Sequence, residues 1–228
     1  MKRSYRWMWS GCALMAAVAL AVQGFTQEKK PDQPAQPETK PPQVQPEKKP
    51  GAPAPTEMTP EEMMKLWQEL NPLTPQHQEM AKAVGKYDVL VRYRMAPDAP
   101  MRESKGKAEF KLILDGRFIE QTYSGDMEGV PFTGLGIEGY DHLKKQFQTV
   151  WMDSTTNMMT HFTGTASPDG KVITYTGKMD DPMTGQKDIP IKMVLRKVSD
   201  DKTIFEMYET MPGGKEFKSM EMEYTRQK

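Results

Sequence analysis

From Tyr87 to the C-terminus, apolar and polar residues alternate in short runs, and this period of two constrains the fold more than any other feature. Tyr87, Val89, Val91 and Tyr93 interleave with Asp88, Leu90, Arg92 and Arg94. Gly106, Ala108, Phe110, Leu112 and Leu114 interleave with Lys105, Lys107, Glu109 and Lys111. Such alternation marks strands with one dry and one wet face. Further strands are read at 118–127, 131–140, 147–153, 157–166, 172–179, 189–198, 203–210 and 216–226. Short polar turns separate them, among them Asp115-Gly116, Pro168-Asp169-Gly170, Asp200-Asp201 and Pro212-Gly213-Gly214. About ten strands in a meander must hide their edges, and closure does so completely. The expected fold is mainly β: an antiparallel up-and-down barrel. A two-sheet sandwich is the other arrangement these strands allow.

The hairpin spanning 131–153 sits at the centre of this pattern. Its rising strand carries Gly134, Gly136 and Gly139, positions where bare backbone lets a sheet curl or a neighbour pack close. Its returning strand puts Phe147, Thr149, Trp151 and Asp153 on one face and Gln148, Val150 and Met152 on the other. If the first face turns inward, an aromatic wall and a carboxylate line a pocket. In the plainer alternative Trp151 is core packing and Asp153 ends its strand by bonding turn backbone.

The ligand-binding candidates are Phe147, Thr149, Trp151, Asp153, Glu206 and Tyr208. Glu206 and Glu209 flank Tyr208 and, with Asp153, offer carboxylates for acid–base work; carboxylates spaced along a strand also make an ordinary wet face. Two functions are consistent with these residues. One is an exported barrel that binds a small apolar or amphipathic ligand or serves as a tethered envelope scaffold. The other is a hydrolase or isomerase with carboxylate chemistry in the cavity. No nucleophile elbow, phosphate loop or zinc-protease helix motif occurs, so no catalytic residue is assigned.

His77, His142 and His161 lack ligand-like spacing, so neither a metal nor a cofactor is expected. His77, at a helix start, and His142, in a turn, are read as solvated. His161 is read as an outward surface residue. The 20 methionines suit adaptable packing, either in a core or around a variable ligand.

The N-terminal part has a different composition. Lys2, Arg3 and Arg6 precede an apolar run at 13–22, and Val22-Gln23-Gly24 offers a cleavage site, so residues 1–24 read as a secretory signal. The run is shorter than the ~20 residues of a membrane span. No stable membrane insertion is expected after cleavage, and the location is periplasmic or extracellular. Cys12, the only cysteine, precedes the apolar core instead of coming after it, which argues against a lipidated anchor. Removing the signal leaves 28 bases against 31 acids and no thiol, giving no electrostatic case for nucleic acid and excluding disulfides.

Residues 25–58 read as a disordered linker. Ten of the 19 prolines fall between Pro31 and Pro60, and no aromatic lies between Phe25 and Trp67. That composition cannot offset its own ordering entropy. The segment reaches on the order of 100 Å at about 3.1 Å per residue, either as a solvated spacer or as a proline-motif ligand. It is expected to be dispensable for folding.

Helices occupy 59–84, before a barrel domain at 85–228. Thr59-Pro60-Glu61-Glu62 starts the first, and Met63, Leu66, Trp67 and Leu70 form one stripe. Pro75 starts the second, and Gly85 closes it off. Neither builds a core alone, so both stripes are expected to lie on the strands C-terminal to them. Oligomeric state is left open.

A set of short segments occurs in one order: Gly85-Lys86-Tyr87-Asp88, Asp115-Gly116-Arg117-Phe118, the glycine-rich run 125–139, Gly139-Tyr140-Asp141, Trp151-Met152-Asp153-Ser154, Asp181-Pro182-Met183-Thr184-Gly185, Phe205-Glu206-Met207-Tyr208 and Tyr224-Thr225-Arg226. Over residues 75–227 the chain thereby resembles the bacterial exported domain-of-unknown-function family numbered 1579. The resemblance implies a lipocalin-like (calycin) barrel and no activity. Tyr87 stands where the opening Gly-x-Trp usually has tryptophan. In lipocalin-like folds an arginine from the last strand lies across that aromatic, which here pairs Tyr87 with Arg226 as structural residues. In the barrel-shaped nitrobindins a lone histidine ligates haem, the one other role for a mid-strand residue such as His161.

Overall fold

The structure is a computed structural model, which describes residues 58–228 except Met183 and Pro212. The signal segment at 1–24 and the linker, save Met58, lie outside the described residues. The chain divides into two units, with the barrel in the unit that runs from Asn71 to Lys228.

Helix α1 (Pro60–Leu70) falls in the other unit. Thr59 caps it through reciprocal bonds. Its Oγ1 accepts from the Glu62 amide at 3.2 Å, and its own amide donates to Glu62 Oε2 at 2.8 Å.

The barrel unit begins with α2 (Pro75–Ala81) and continues as ten strands: β1 (Gly85–Tyr93), β2 (Arg102–Ile113), β3 (Phe118–Met127), β4 (Val130–Asp141), β5 (Gln146–Asp153), β6 (Thr160–Ala166), β7 (Val172–Met179), β8 (Ile189–Lys197), β9 (Lys202–Thr210) and β10 (Glu216–Arg226). Every strand pairs antiparallel with its sequence neighbours, and β1 pairs with β10, so the sheet closes. Closure leaves no unpaired strand edge, which decides for the barrel over the sandwich. One bulge interrupts β10 at Ser219, between Lys218 and Met220.

Register carries the inward face around the barrel. Tyr87, Val89, Val91 and Tyr93 are buried on β1. Their partners are Arg226, Tyr224, Met222 and Met220 on β10, and Ala108, Gly106, Ser104 and Arg102 on β2. The same parity continues through Tyr123, Gln121 and Ile119 on β3 to Phe132, Gly134, Gly136 and Glu138 on β4, and then to Asp153, Trp151, Thr149 and Phe147 on β5. On β9 it selects Phe205, Met207 and Glu209.

Two buried clusters result. One gathers Tyr87, Val89, Val91, Tyr123, Phe132 and Tyr224. The other gathers Met80, Phe147, Phe162, Tyr175, Met193 and Met207. Met80 comes from α2, whose apolar side therefore sits on the barrel core.

Candidate functional site

Glycines prepare the site. On β4 the inward positions include Gly134 and Gly136, and β5 sets Trp151 directly opposite Gly136. A Cβ on Gly134 would stand 2.2 Å from indole Cζ2, and one on Gly136 would stand 3.3 Å from Cε3. The indole therefore lies flat over two bare residues, and no other residue type leaves it that space. Its Nε1–H donates to Asp153 Oδ2 at 3.2 Å. Asp153 Oδ1 accepts from the amide of Thr155 at 2.9 Å and from its hydroxyl at 2.5 Å. Asp153 thus ends the strand and fixes the indole at once.

Beyond Trp151 a cavity of about 90 Å³ opens inside the barrel. Trp151 and Thr149 line it, together with Gly136 and Glu138 of β4, Ile119 and Gln121 of β3, Phe110 of β2 and Leu195 of β8. Met80 and Ala83 close it from the α2 side. Most of the wall is apolar, and three polar side chains converge on it.

Glu138 is the notable one. Its Oε2 accepts from the Tyr175 hydroxyl at 2.6 Å. Burial raises its carboxyl above the ordinary range, and the Tyr175 bond opposes that only in part. By accessible surface the residue is only half-buried, yet its carboxyl lies deep among protein atoms. The uncovered area is cavity wall, so we take the group as desolvated. Tyr175 is pushed well up by its own burial and by the Glu138 charge. Gln121 Nε2 donates to the Tyr224 hydroxyl at 3.0 Å, and burial likewise holds Tyr224 ionisation far above the usual phenol range.

The six ligand-binding candidates separate. Thr149 and Trp151 line the cavity. Phe147 faces inward but is core, 5% exposed and 5.0 Å from the Tyr140 ring. Asp153 shares the inward face and serves the turn. Glu206 and Tyr208 lie on the outer face, because Met207 and Glu209 take the inward parity of β9. Glu206 Oε1 meets Lys218 Nζ at 3.0 Å, and Lys192 Nζ lies 4.7 Å from the Tyr208 ring centroid. Glu206 and Glu209 differ by an odd number of residues and so occupy opposite faces. Asp153 and Glu209 share the inward parity, but neither lines the cavity described above.

The interior carboxyl that strand patterning did not single out is Glu138. Its signal was parity: it falls in step with Phe132, Gly134, Gly136 and Tyr140, the face that bare glycines assign to close packing.

The histidines also divide. His161 is exposed on the outer face, next to buried Phe162. His77 corrects the solvated reading, being only 7% exposed. Its Nδ1 accepts from the Thr74 amide at 3.0 Å, and its ring meets Tyr140 edge-on at 6.0 Å. Burial and the nearby Arg117 charge lower its pKa. The helix start had suggested solvent because sequence does not show which side of a first turn faces the core.

A larger depression of about 600 Å³ runs along the outside of β6 and β7, past Met159, His161 and Lys178. It is open to solvent, whereas binding sites remove a ligand from water on most sides. Among the described residues no group of three or more potential ligands is gathered for a metal.

At the α2 end the Arg226 guanidinium lies over the Tyr87 ring, 4.8 Å from its centroid. Nη1 donates to the Val84 carbonyl and Nη2 to the Lys82 carbonyl, each at 2.6 Å. The Tyr87 hydroxyl donates to the Ala83 carbonyl at 2.9 Å. Arg226 and Tyr87 thus satisfy three carbonyls freed where α2 ends.

The closed barrel, its helix cap and this ordered set of residues agree with a family model for a protein of unknown function, DUF1579, which matches residues 73–226. The chain belongs to the DUF1579 family. Among solved structures, the crystal structure of Rv2717c from M. tuberculosis is similar at a TM-score of 0.53 and 15% identity. The match covers 69% of this chain and 100% of that one, and at this identity it bears on fold alone. A redesigned β-barrel aligns at a TM-score of 0.33 and 16% identity, covering 65% of this chain and 95% of that one. No curated protein matches this DUF1579 member.

Proposed function

We propose that this DUF1579 barrel is a binding protein that holds a small amphipathic molecule in the cavity beneath Trp151. The observation that carries the reading is the enclosed space itself: an apolar wall into which Gln121, Glu138 and Thr149 project. A few placed polar groups in an apolar pocket orient a ligand without committing it to chemistry. The space of about 90 Å³ has the liquid volume of roughly three waters, so a larger occupant displaces side chains. Met80 suits that role, since an unbranched thioether repacks at low cost.

The test is native mass spectrometry of the full chain purified from its own host, compared with Ala83→Leu, which fills the cavity from the α2 side. An adduct on the wild type that is lost from a folded Ala83→Leu variant is expected. A bare wild-type mass, or the same adduct on both proteins, would remove this reading.

We also propose that residues 1–24 direct export and that 25–58 tether the barrel in the periplasm or outside the cell. The basic start, the short apolar run and the proline-rich stretch support this. N-terminal sequencing of the protein from a periplasmic or secreted fraction is expected to begin near Phe25. An intact Met1 in the cytoplasmic fraction would contradict it.

A further inference from the structure

The cavity has a charge pattern as well as a shape, and that pattern bears on the head group it accepts; the inference rests on the binding reading above. Acids turned inward by register are Glu138, Asp153 and Glu209. The inward bases are Arg226 and Arg102, both paired to β1 residues, and Lys197 on β8, which pairs with Asp200 at 2.8 Å. Arg226 is occupied by the Val84 and Lys82 carbonyls, and Arg102 pairs with Glu128. None of the three lines the cavity, whose wall holds one carboxyl and no cation.

The wall's hydrogen-bonding capacity points the same way. Glu138 Oε2 already accepts from Tyr175, and Oε1 accepts from none of the described residues. Gln121 uses one N–H of its amide on Tyr224, which leaves the second N–H and the carbonyl oxygen. Trp151 uses its only donor on Asp153 and offers the cavity a ring face. Acceptors thus outnumber donors among the remaining functions: a carboxylate oxygen, an amide oxygen and the Thr149 hydroxyl accept, and only that hydroxyl and the second Gln121 N–H donate.

We propose that the ligand is a small amphipathic amine. Its ammonium group is met by Glu138 and Gln121, and its apolar body lies against Trp151, Phe110 and Leu195. A protonated amine brings three donors and the charge that a desolvated carboxylate lacks, and the indole face attracts a cation besides. A carboxylate head would instead face Glu138 with no cation on the wall to separate them.

The experiment uses the full chain with Trp7, Trp9 and Trp67 each replaced by Phe, so that Trp151 is the single indole. Its emission is monitored during titration with n-butylamine, n-butanol and sodium butyrate at pH 7.5 and fixed ionic strength. The amine is expected to bind at least ten-fold more tightly than the alcohol, and butyrate more weakly than either. In Glu138→Gln the amine should fall to the level of the alcohol. Butyrate binding as tightly as the amine, or an amine affinity unchanged in a folded Glu138→Gln variant, overturns the head-group assignment while leaving a binding cavity. No response to any of the three removes the cavity-binding reading itself. The ranking of the three probes needs no change in the wall, so it decides even if the Gln variant does not fold.

Discussion

The two polar constellations of the barrel interior are built on opposite terms. At the α2 end, Arg226 and Tyr87 meet three carbonyls, and each partner is satisfied by the other. In the cavity, Glu138 keeps one oxygen facing open space and is held with its pKa raised. The first arrangement stabilises the fold. The second costs stability, as a site kept ready for a ligand does. Removing each should therefore change stability with opposite sign.

The largest effect is expected from Arg226→Met. The substitution keeps much of the stem but strands the Val84 and Lys82 carbonyls and removes the cation from the Tyr87 ring. A charge-assisted hydrogen bond is worth about 1.5–3 kcal/mol, and the ring contact adds about 0.5–2 kcal/mol. With the exposed part of Arg226 discounted, a loss of about 2–3 kcal/mol is expected. That corresponds to a fall in Tm of roughly 4–12 °C for a chain of this size. A double-mutant cycle with Tyr87→Leu should give a coupling energy of about 0.5–2 kcal/mol. A fall below about 2 °C would make the closure ornamental and erase the contrast with the cavity.

Gly134→Ala comes next and tests the cavity from behind. The added Cβ would stand 2.2 Å from the Trp151 indole, a distance that forces the ring to swing inward and give up Asp153. Overpacking of this kind costs about 1–3 kcal/mol. In the single-tryptophan background, the wild type is expected to show blue-shifted emission poorly quenched by iodide. The Ala variant should lose n-butanol binding along with stability. An unchanged Tm and emission would mean that the indole does not rest on β4.

That glycine also shows how much of the molecule was legible in the chain. Period-two patterning with short turns was enough for ten strands and for closure, because every strand of a closed barrel has one dry face. It was enough to put Phe147, Thr149, Trp151 and Asp153 on a shared face, since parity within one strand is fixed by the pleat. It could not relate the parity of β9 to that of β5. The chain offers Phe205 and Met207 against Glu206 and Tyr208, and Tyr208 fits either side. Cross-strand register settles the matter, and register depends on turn geometry that composition does not encode. Glu138 stayed hidden for a related reason: a single acid in a glycine-rich strand resembles a wet-face residue until the glycines are seen as the floor under an indole.

The third effect is a gain. Glu138→Gln keeps an acceptor for Tyr175 and removes a carboxylate that burial disfavours. Its folded pKa lies above the unfolded value near 4.5, so the folded state holds the proton at pH values where the unfolded chain has released it. The native carboxyl therefore destabilises at neutral pH, and this penalty fades as pH falls. The variant is expected to be more stable at pH 7.5 by on the order of 1 kcal/mol, with the difference vanishing toward pH 4.5. His77 acts in the other direction. Its folded pKa is lowered from 6.5, so its neutral form contributes stability that is lost as pH drops below that value. Subtracting the variant from the wild type cancels His77 and isolates Glu138. A variant that is less stable at pH 7.5 would mean that the carboxyl is satisfied where it sits.

The smallest effect should come from the outer face, which sharpens the contrast by standing outside it. Glu206 lies between Lys218 at 3.0 Å and Arg196 at 3.9 Å, Lys218 also meets Glu221 at 2.5 Å, and Arg92 joins Glu221 to Glu103 at 3.1 and 2.9 Å. The chain of charges crosses five strands but remains in contact with water, where each pair is worth about 0.2–1 kcal/mol and salt weakens it. Tyr208 sits beside it, its ring under Lys192. Glu206→Gln should therefore cost under about 1 kcal/mol at low salt and less in 0.5 M sodium chloride. Tyr208→Phe should lie within about 0.5 kcal/mol of the wild type, and neither variant should alter n-butylamine binding. If Glu206→Gln weakened the amine as strongly as Glu138→Gln does, the ligand would be reading the outer face of β9, and the interior cavity would lose its claim as the site.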